Sequence, residues 1–294
     1  MKSKILLLAL SLASTSTLPA QTSVWKATKG DRYLYLGGTC HILRPSDLPL
    51  PAEFEQAYAG SSKVVFETDL ARAQSTEMQK IVAERGMFAG GDSLEKALGP
   101  EAWQAVQDYC AGRGIPPAQV NRMRPWFFLV LITVMEFQKR GVTQEGVDLR
   151  YFKKAKADGK SLGELETFES HVEFLTGMAG AQPARAVRQT LADLAELDER
   201  IGEILAGWRK GDLEGLDRTM LAEMRADYPD VYRALIVQRN ENWLPIIEEL
   251  AATPEVEFVL AGVGHMAGDD GLLASLRKRG YTIEQVVAAP AVAK

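Results

Sequence analysis

Histidine and cysteine are both scarce in this sequence, with three and two copies among 294 residues. The two cysteines, Cys40 and Cys110, allow one internal disulfide at most. Nothing in their local sequence forces them together, and their redox state stays open. Because only three histidines are present, the position of each one carries information about function.

Several sequence features of well-known protein classes are also missing. There is no His-Glu-x-x-His helix, no P-loop and no Gly-x-Gly-x-x-Gly that opens a helix after a strand. No lysine and arginine run suited to a phosphate backbone occurs, and 34 basic against 39 acidic residues give a formal net charge of -5. These absences argue against zincins, nucleotide-binding folds and nucleic-acid partners.

The first twenty residues, MKSKILLLALSLASTSTLPA, have the pattern of a secretory signal peptide. A positive start precedes an apolar stretch from Ile5 to Leu12, which is much shorter than the ~20 residues that a spanning helix needs. We expect cleavage near Ala20 and no membrane span in the mature chain. The sequence therefore predicts an exported protein, periplasmic or extracellular, with a single domain over residues 21–294.

Apolar runs rich in β-forming residues predict a central sheet. The predicted strands are VWKATK with the following run at 33–36, KVVFETD, KSLGELE at 160–166, VEFVLAGVG at 256–264 and YTIEQVV. Long helical stretches, at about 71–155 and 168–250, lie between them. The fold class expected is α/β: a central mixed, largely parallel sheet whose large helical insertions form a cap.

Two helical stretches of the cap have informative patterns. Residues 126–137 are apolar on nearly every side, which favours a helix that is buried in the cap or faces a second subunit. The oligomeric state stays open. The second stretch has the spacing of one amphipathic helix, with apolar positions at Val187, Leu191, Leu194, Leu197 and Ile201.

Polar side chains follow the predicted strands at the points where the apolar runs end. His41 and His265 share the spelling Gly-x-x-His, at 38–41 and 262–265, and Glu67 and Glu166 end two other strands. Ligands of open parallel sheets bind beyond the carboxyl ends of the strands. A lone histidine or glutamate at such a place is usually structural, but the repeated spelling predicts one shared site.

Here the sequence resembles the TraB/GumN family, which includes the Tiki metalloproteases and is similar to the erythromycin esterase and ChaN-like group. The resemblance rests on LYLGGTCHILRPSDLPLPAEFEQAYAGSSKVVFETD, KSLGELETFES, RNENW and FVLAGVGHMAGDDGLLASLRKRGYTIEQV. It covers most of the mature chain. Weaker shared positions are Trp126, Glu166 and Arg239 with Asn240. The chain departs from the family pattern at Cys40, where a bulky apolar residue is common, and at His171, where glutamine is frequent.

The resemblance implies a divalent metal site made of His41, His265 and Glu67. Two imidazoles and one carboxylate suit manganese, cobalt or zinc and leave a coordination position for water and substrate. Glu67 could instead be the general base that takes a proton from the water. Glu166 could fill whichever role Glu67 leaves, or hold a histidine N–H.

Two further side chains have open roles. Arg239 could clamp a substrate carboxylate or stabilise an oxyanion, and an internal salt bridge is the alternative. His171 follows Glu166 on a predicted helix, where a rim position is expected and a third metal ligand is the alternative.

Three hypotheses of function follow. The first is an exported metal-dependent hydrolase, a peptidase, that acts on a peptide or small-molecule substrate. The second is a metal-independent, esterase-like hydrolase in which His41 or His265 works with a glutamate. The third is a non-catalytic protein that binds a peptide, a haem or a partner. Dependence on metal separates the first two, and absence of turnover separates the third.

Overall fold

The protein is organised around one six-stranded sheet, seen in a computed structural model that describes residues 22–41, 43–143 and 145–288. The predicted signal peptide of residues 1–20 lies outside the described residues. The strands are β1 (Val24–Lys29), β2 (Arg32–Thr39), β3 (Lys63–Phe66), β4 (Ser161–Glu164), β5 (Glu257–Gly262) and β6 (Thr282–Gln285). Each predicted strand is therefore present.

The strands follow the order β4-β3-β5-β2-β1-β6. The first four are parallel, while β1 runs antiparallel to both β2 and β6. The predicted mixed, largely parallel sheet is confirmed. Because β2, β3, β4 and β5 run in one direction, their carboxyl ends share one edge of the sheet.

Helical segments fill the two predicted insertions, and shorter ones flank them. Helix α1 (Ala52–Ala59) joins β2 to β3, and α15 (Leu272–Lys278) joins β5 to β6. The helices between β3 and β4 are α2 (Leu70–Ala73), α3 (Thr76–Gly86), α4 (Leu94–Ala111), α5 (Pro117–Val120), α6 (Pro125–Lys139) and α7 (Val147–Asp158). Those between β4 and β5 are α8 (Phe168–Thr176), α9 (Pro183–Asp193), α10 (Leu197–Lys210), α11 (Leu213–Leu216), α12 (Ala222–Asp227), α13 (Pro229–Tyr232) and α14 (Gln238–Ala251).

The predicted single amphipathic helix around 187–201 is wrong. Helix α9 ends at Asp193 and α10 begins at Leu197, because residues 194–196 form a turn. Leu194 begins this turn, Leu197 follows it, and both are buried. The apolar spacing therefore arises because both helices pack into the same core, and it does not indicate one continuous helix.

Alternate residues of the strands face two separate cores. Phe258 and Leu260 of β5 point into the larger core, which is formed with α1, α4, α6, α7 and α10. Val259 and Ala261 point into the second, which is covered by α14 and α15. The sheet is thus sandwiched between two layers of helices.

Two wide π turns interrupt the helical run that leads to α14. They span Asp217–Leu221 and Arg233–Val237, and in the second the Gln238 N–H donates to the Arg233 carbonyl five residues back. Such turns are rare and often occur at functional sites. The second π turn directly precedes α14 and sets the direction in which the first residues of α14 point.

Among the described residues, none of the helices combines the length and apolarity that a bilayer-spanning segment requires. The apolar stretch at 126–137 lies within α6, where Trp126, Phe128, Leu129 and Ile132 are buried.

A buried ion cluster inside the cap predicts acid sensitivity. Glu136 of α6 is buried and accepts hydrogen bonds from Arg113, Arg140 and Tyr109. Burial raises the pKa of Glu136, but the two arginines outweigh burial and lower it to about 2. The stabilisation is therefore complete above the ordinary pKa of 4.5 and is lost as the pH falls through 2.

We expect Glu136→Gln to lower the free energy of unfolding at pH 7 by about 3 kcal/mol. The deficit should shrink at a pH of about 3.5, because the wild-type carboxylate then loses part of its advantage. Urea unfolding at both pH values measures this. Glu203→Gln, on the exposed side of α10, is the control. An equal deficit at both pH values would contradict the assignment.

Candidate functional site

Four polar side chains leave the carboxyl ends of the four parallel strands. His41 lies two residues beyond β2, Glu67 directly follows β3, Glu166 lies two residues beyond β4, and His265 ends the short turn after β5. The Glu166 N–H donates to the Glu67 carbonyl at 2.9 Å, which continues the strand pairing into the site. The structure therefore brings all four predicted residues to one edge.

Gly262, the last residue of β5, marks the point where three of these side chains meet. A Cβ placed on Gly262 would lie 3.2 Å from both Glu67 Oε1 and His41 Nε2, and 3.7 Å from His265 Cδ2. The Gly262 N–H donates to Glu67 Oε1 at 2.6 Å. Any larger residue would fill the space that the two imidazoles and the carboxylate share.

His41 is held in place by a residue that the sequence analysis missed. Its Nδ1 donates to Asp148 Oδ2 at 2.8 Å, and Asp148 lies in the first turn of α7. The start of α7 is fixed because the Val147 N–H donates to the Cys40 carbonyl at 3.0 Å. Gly146 makes this approach possible, since a Cβ there would overlap the His41 carbonyl group. His41 Nε2 lies 3.7 Å from Glu67 Oε1, within ion-pair distance, and makes no shorter hydrogen bond to the residues that the structure describes.

The Asp148 carboxylate raises the pKa of His41, whose side chain is 59% exposed, to about 9. We expect Asp148→Asn to move this pKa back towards the ordinary 6.5, because the amide keeps an acceptor oxygen but loses the charge. An NMR titration of the imidazole C–H signals measures it. Asp158→Asn, at the other end of α7 where the carboxylate accepts from Tyr58 and Lys154, is the control. An unchanged His41 titration in Asp148→Asn would contradict the pairing.

Arg239, the second residue of α14, joins the two glutamates. Its Nη2 donates to Glu67 Oε2 at 2.6 Å and to Glu166 Oε1 at 2.7 Å, and its Nε donates to Glu166 Oε2 at 3.2 Å. The guanidinium also lies over the ring of Trp243, 4.5 Å from the centroid. Arg239 is thus engaged in an internal ion pair and is not free to clamp a substrate carboxylate.

This buried cation sets the charge of both glutamates. Burial by itself raises the pKa of Glu67, but Arg239 and the three histidines together outweigh burial and hold the net pKa far below the ordinary range. The pKa of Glu166 is also lowered, against burial, by hydrogen bonds from His171 and Arg239. Both carboxyl groups are therefore negative at neutral pH and are poor proton acceptors.

His265 is a buried, neutral imidazole. Its Nδ1 donates to Asn240 Oδ1 at 2.8 Å, and its Nε2 accepts from Arg239 Nη1 at 3.1 Å. Burial lowers the pKa of His265 to about 3, and the positive charge of Arg239 adds to this effect. The two partners assign the proton to Nδ1.

The third histidine belongs to the same cluster. His171 of α8 donates from Nδ1 to Glu166 Oε1 at 2.7 Å. Ligand atoms of Glu67, Glu166 and His171 lie within 4.8 Å of one another, which makes a possible carboxylate and histidine site for a metal. Arg239 Nη2 already bonds both carboxylates and lies 3.3 Å from His171 Nδ1. The Arg239 guanidinium therefore takes the place that a metal ion would have among Glu67, Glu166 and His171.

The donor set of His41, His265 and Glu67 fits a divalent metal by its chemistry. Each of the two imidazoles uses Nδ1 for a fixed side-chain oxygen, Asp148 or Asn240, so Nε2 is the nitrogen that could bind an ion, although in His265 it accepts from Arg239. Metal-binding histidines are commonly oriented in this way. A cation bound through His265 would replace its hydrogen bond from Arg239. The ligand roles of these three residues stay a prediction.

The two cysteines do not take part. Cys40 and Cys110 are both free and buried. Burial first, and the Asp148 charge second, raise the pKa of the Cys40 thiol far above its ordinary value, so the neutral thiol is a poor metal ligand.

The family of this chain is decided by comparison with known sequences. The sequence profile of the TraB/PrgY/gumN family matches residues 23–285, a range that contains all six strands. This chain belongs to the TraB/PrgY/gumN family.

Relatives of this TraB/PrgY/gumN protein include bacterial and animal chains. Uncharacterized protein YbaP of Escherichia coli K12 is 23% identical over 250 residues, which cover 84% of this chain and 89% of YbaP. Metalloprotease TIKI2 of Danio rerio is 25% identical over 302 residues, or 85% of this chain and 58% of TIKI2. Metalloprotease TIKI1 of Homo sapiens is 25% identical, with 88% of this chain and 61% of TIKI1 covered. No solved structure matches this chain.

Within the TraB/PrgY/gumN chain, sequence analysis missed Asp148, and it did not predict the hydrogen bond between His171 and Glu166. The signal for Asp148 was the Gly-Val-Asp at the start of α7, but an acidic residue in a first helical turn is ordinary.

Trp126, a weaker shared position, lies at the start of α6 and packs edge-on against Phe127 at 5.4 Å between ring centroids.

Proposed function

We propose that this chain is an exported, metal-dependent hydrolase that cleaves peptides. The observation that carries the proposal is the convergence of His41 Nε2, Glu67 Oε1 and the His265 ring around Gly262. The TIKI relatives are named as metalloproteases, and this favours metal-dependent peptide hydrolysis. Export rests on the signal-like residues 1–20.

Manganese, cobalt or zinc are the ions proposed for His41, His265 and Glu67. When bound, such an ion supplies Lewis acidity to the scissile carbonyl and to the attacking water. Glu67 acts as a ligand rather than a base, because its two oxygens already accept from Gly262 and Arg239 and its pKa is lowered. Arg239 offsets one of the two negative charges of Glu67 and Glu166 and fixes the positions of both carboxylates.

His171 is the proposed proton acceptor. Its Nδ1–H is donated to Glu166, which leaves the lone pair on Nε2. The side chain lines the cavity next to His41 and Glu67 and is 25% exposed, so it can meet water and substrate. A carboxylate that holds the far nitrogen of a histidine base is a recurring catalytic arrangement. Glu166 is then a positioning residue.

Metal analysis of the purified mature protein tests the proposal. We expect retained or readily restored divalent metal, loss of peptide cleavage after chelation, and recovery with manganese, cobalt or zinc. His265→Ala should lose the metal. His171→Gln should keep the metal and lower kcat about 10²-fold or more, as expected for a general base. Activity that survives complete removal of metal would sink the proposal.

A metal-independent hydrolase is the second candidate, and the His41–Asp148 hydrogen bond favours it. A histidine base could activate water directly, or it could activate a side-chain nucleophile, which Ser161 in the sequence Gly-Lys-Ser-Leu-Gly at 159–163 resembles. Ser161, however, is the first residue of β4. It lies at the edge of the sheet opposite to the histidines, so it cannot serve this site.

A further inference from the structure

A cavity of about 430 Å³ lies beside the candidate site and has mainly apolar walls. Its ionisable lining groups are His41, Glu67, Asp148 and His171, which all belong to the site already described. The walls come from α2, α3, α6 and α8, and they include Leu70, Val82, Ala83, Phe127, Phe168 and Leu175. The polar site and an apolar cleft are therefore one continuous space.

The cleft leaves large apolar side chains partly uncovered. Leu70, Val82, Phe127 and Leu175 come from four different helices, and each keeps part of its surface open. Apolar surface that converges on one concave space beside polar groups is typical of a ligand site. An occupant with apolar surface would remove these side chains from water.

Fixed backbone contacts shape the wall at Phe127. A Cβ on Gly86 would overlap the Phe127 ring, so the absence of a side chain lets this ring lie directly on the end of α3. The Arg124 N–H donates to the Gly86 carbonyl at 2.7 Å, and the Phe88 N–H donates to the Arg122 carbonyl at 2.7 Å. These hydrogen bonds join the end of α3 to the start of α6, so the wall of the cleft at Phe127 is held in a fixed position.

We infer that the cleft binds the side chain of a branched aliphatic or aromatic residue that flanks the scissile bond of a peptide substrate. The inference rests on the proposed function, because the peptide carbonyl must reach His41 and Glu67 while its side chain enters the cleft. Away from His41, Glu67, Asp148 and His171, the lining side chains carry no charge, so a charged side chain placed deep in the cleft would be buried without a partner, which is costly. Glycine or alanine at this position would leave the apolar walls of the cleft in contact with water.

A peptide library with one varied position tests the inference by mass spectrometry of the cleaved products. We expect leucine or phenylalanine at the varied position to raise kcat/KM about 10- to 100-fold over aspartate or glycine. Ala83→Phe, on an exposed position of the α3 wall, should lower kcat/KM for the phenylalanine peptide about 10-fold. The alanine peptide should lose less kcat/KM than the phenylalanine peptide, because its short side chain fills less of the cleft.

Ala206→Phe, the same change on the exposed side of α10, is the matched control and should alter neither value. Cleavage without any apolar preference, or an equal loss for all peptides in Ala83→Phe, would overturn the cleft assignment and leave the hydrolase standing.

A binding measurement separates this inference from the proposed function. N-acetyl-phenylalaninamide and N-acetyl-aspartamide are titrated into the metal-free protein and followed by NMR. Preferred binding of the aromatic probe, weakened by Ala83→Phe and not by Ala206→Phe, supports the cleft even if no peptide is cleaved. Equal binding of both probes in the wild type, or no binding of either, overturns it.

Discussion

Arg239→Met is expected to lower the free energy of unfolding at pH 7 by about 3–5 kcal/mol. Arg239 is the buried cation that bonds Glu67 and Glu166, whose side chains are 7% and 6% exposed. Methionine would leave two buried carboxylates with no guanidinium between them. Their pKa values should then rise, because burial favours the neutral acid.

The sign of the pH dependence follows from this rise. A buried acid with a raised pKa destabilises the variant most above that pKa, so the deficit relative to wild type should shrink as the pH falls below about 5. Urea unfolding at pH 7 and pH 4.5 measures it. Glu166→Gln added to Arg239→Met should restore part of the stability, because it removes one unpaired charge.

Arg279→Met is the matched control for Arg239→Met. Arg279 also pairs with a glutamate, Glu248, but its side chain is 43% exposed. An exposed pair contributes at most about 1 kcal/mol. Equal unfolding midpoints for the two variants would show that Arg239 does not hold the buried charges.

Glu67→Gln is expected to lower kcat/KM for peptide cleavage on the order of 10³-fold or more. The amide keeps the shape of the carboxylate but removes the charge that a divalent ion needs. Metal content decides the role of the residue: loss of metal assigns Glu67 as a ligand, whereas full metal content with lost activity assigns it as the base. Steady-state kinetics and elemental analysis of one sample measure both.

Glu169→Gln provides the control for Glu67→Gln. Glu169 lies at the start of the nearby helix α8, where it pairs with Arg72 and is half exposed. Its activity and metal content should equal those of wild type. Near-UV circular dichroism shows whether Glu67→Gln keeps the native packing. A folded Glu67→Gln protein with wild-type activity and metal would contradict both roles.

The sheet was predictable because its strands are short apolar runs that end in glycine or a polar residue. The register of these runs places His41, Glu67, Glu166 and His265 at one edge, since parallel strands end on the same side. That argument needs only strand direction. It therefore succeeded without knowledge of any side-chain contact.

The partners of these side chains were not predictable in the same way. Asp148 is 107 residues from His41 and reaches it only because α7 begins against the backbone of Cys40 and His41. Whether the Arg239 guanidinium binds substrate or the internal glutamates depends on the π turn and on the burial of α14. Such contacts are decided by packing between distant segments, which local spacing does not record.

The π turn before α14 makes the length of this segment critical. One residue fewer between Arg233 and Val237 would return the backbone to ordinary α-helical winding and change the angular phase of the chain by about 100°. Either Tyr232 or Arg239 would then swing away from its present neighbours. Single-residue insertions and deletions should be tolerated in the surface connections of the cap and selected against within this one wide turn.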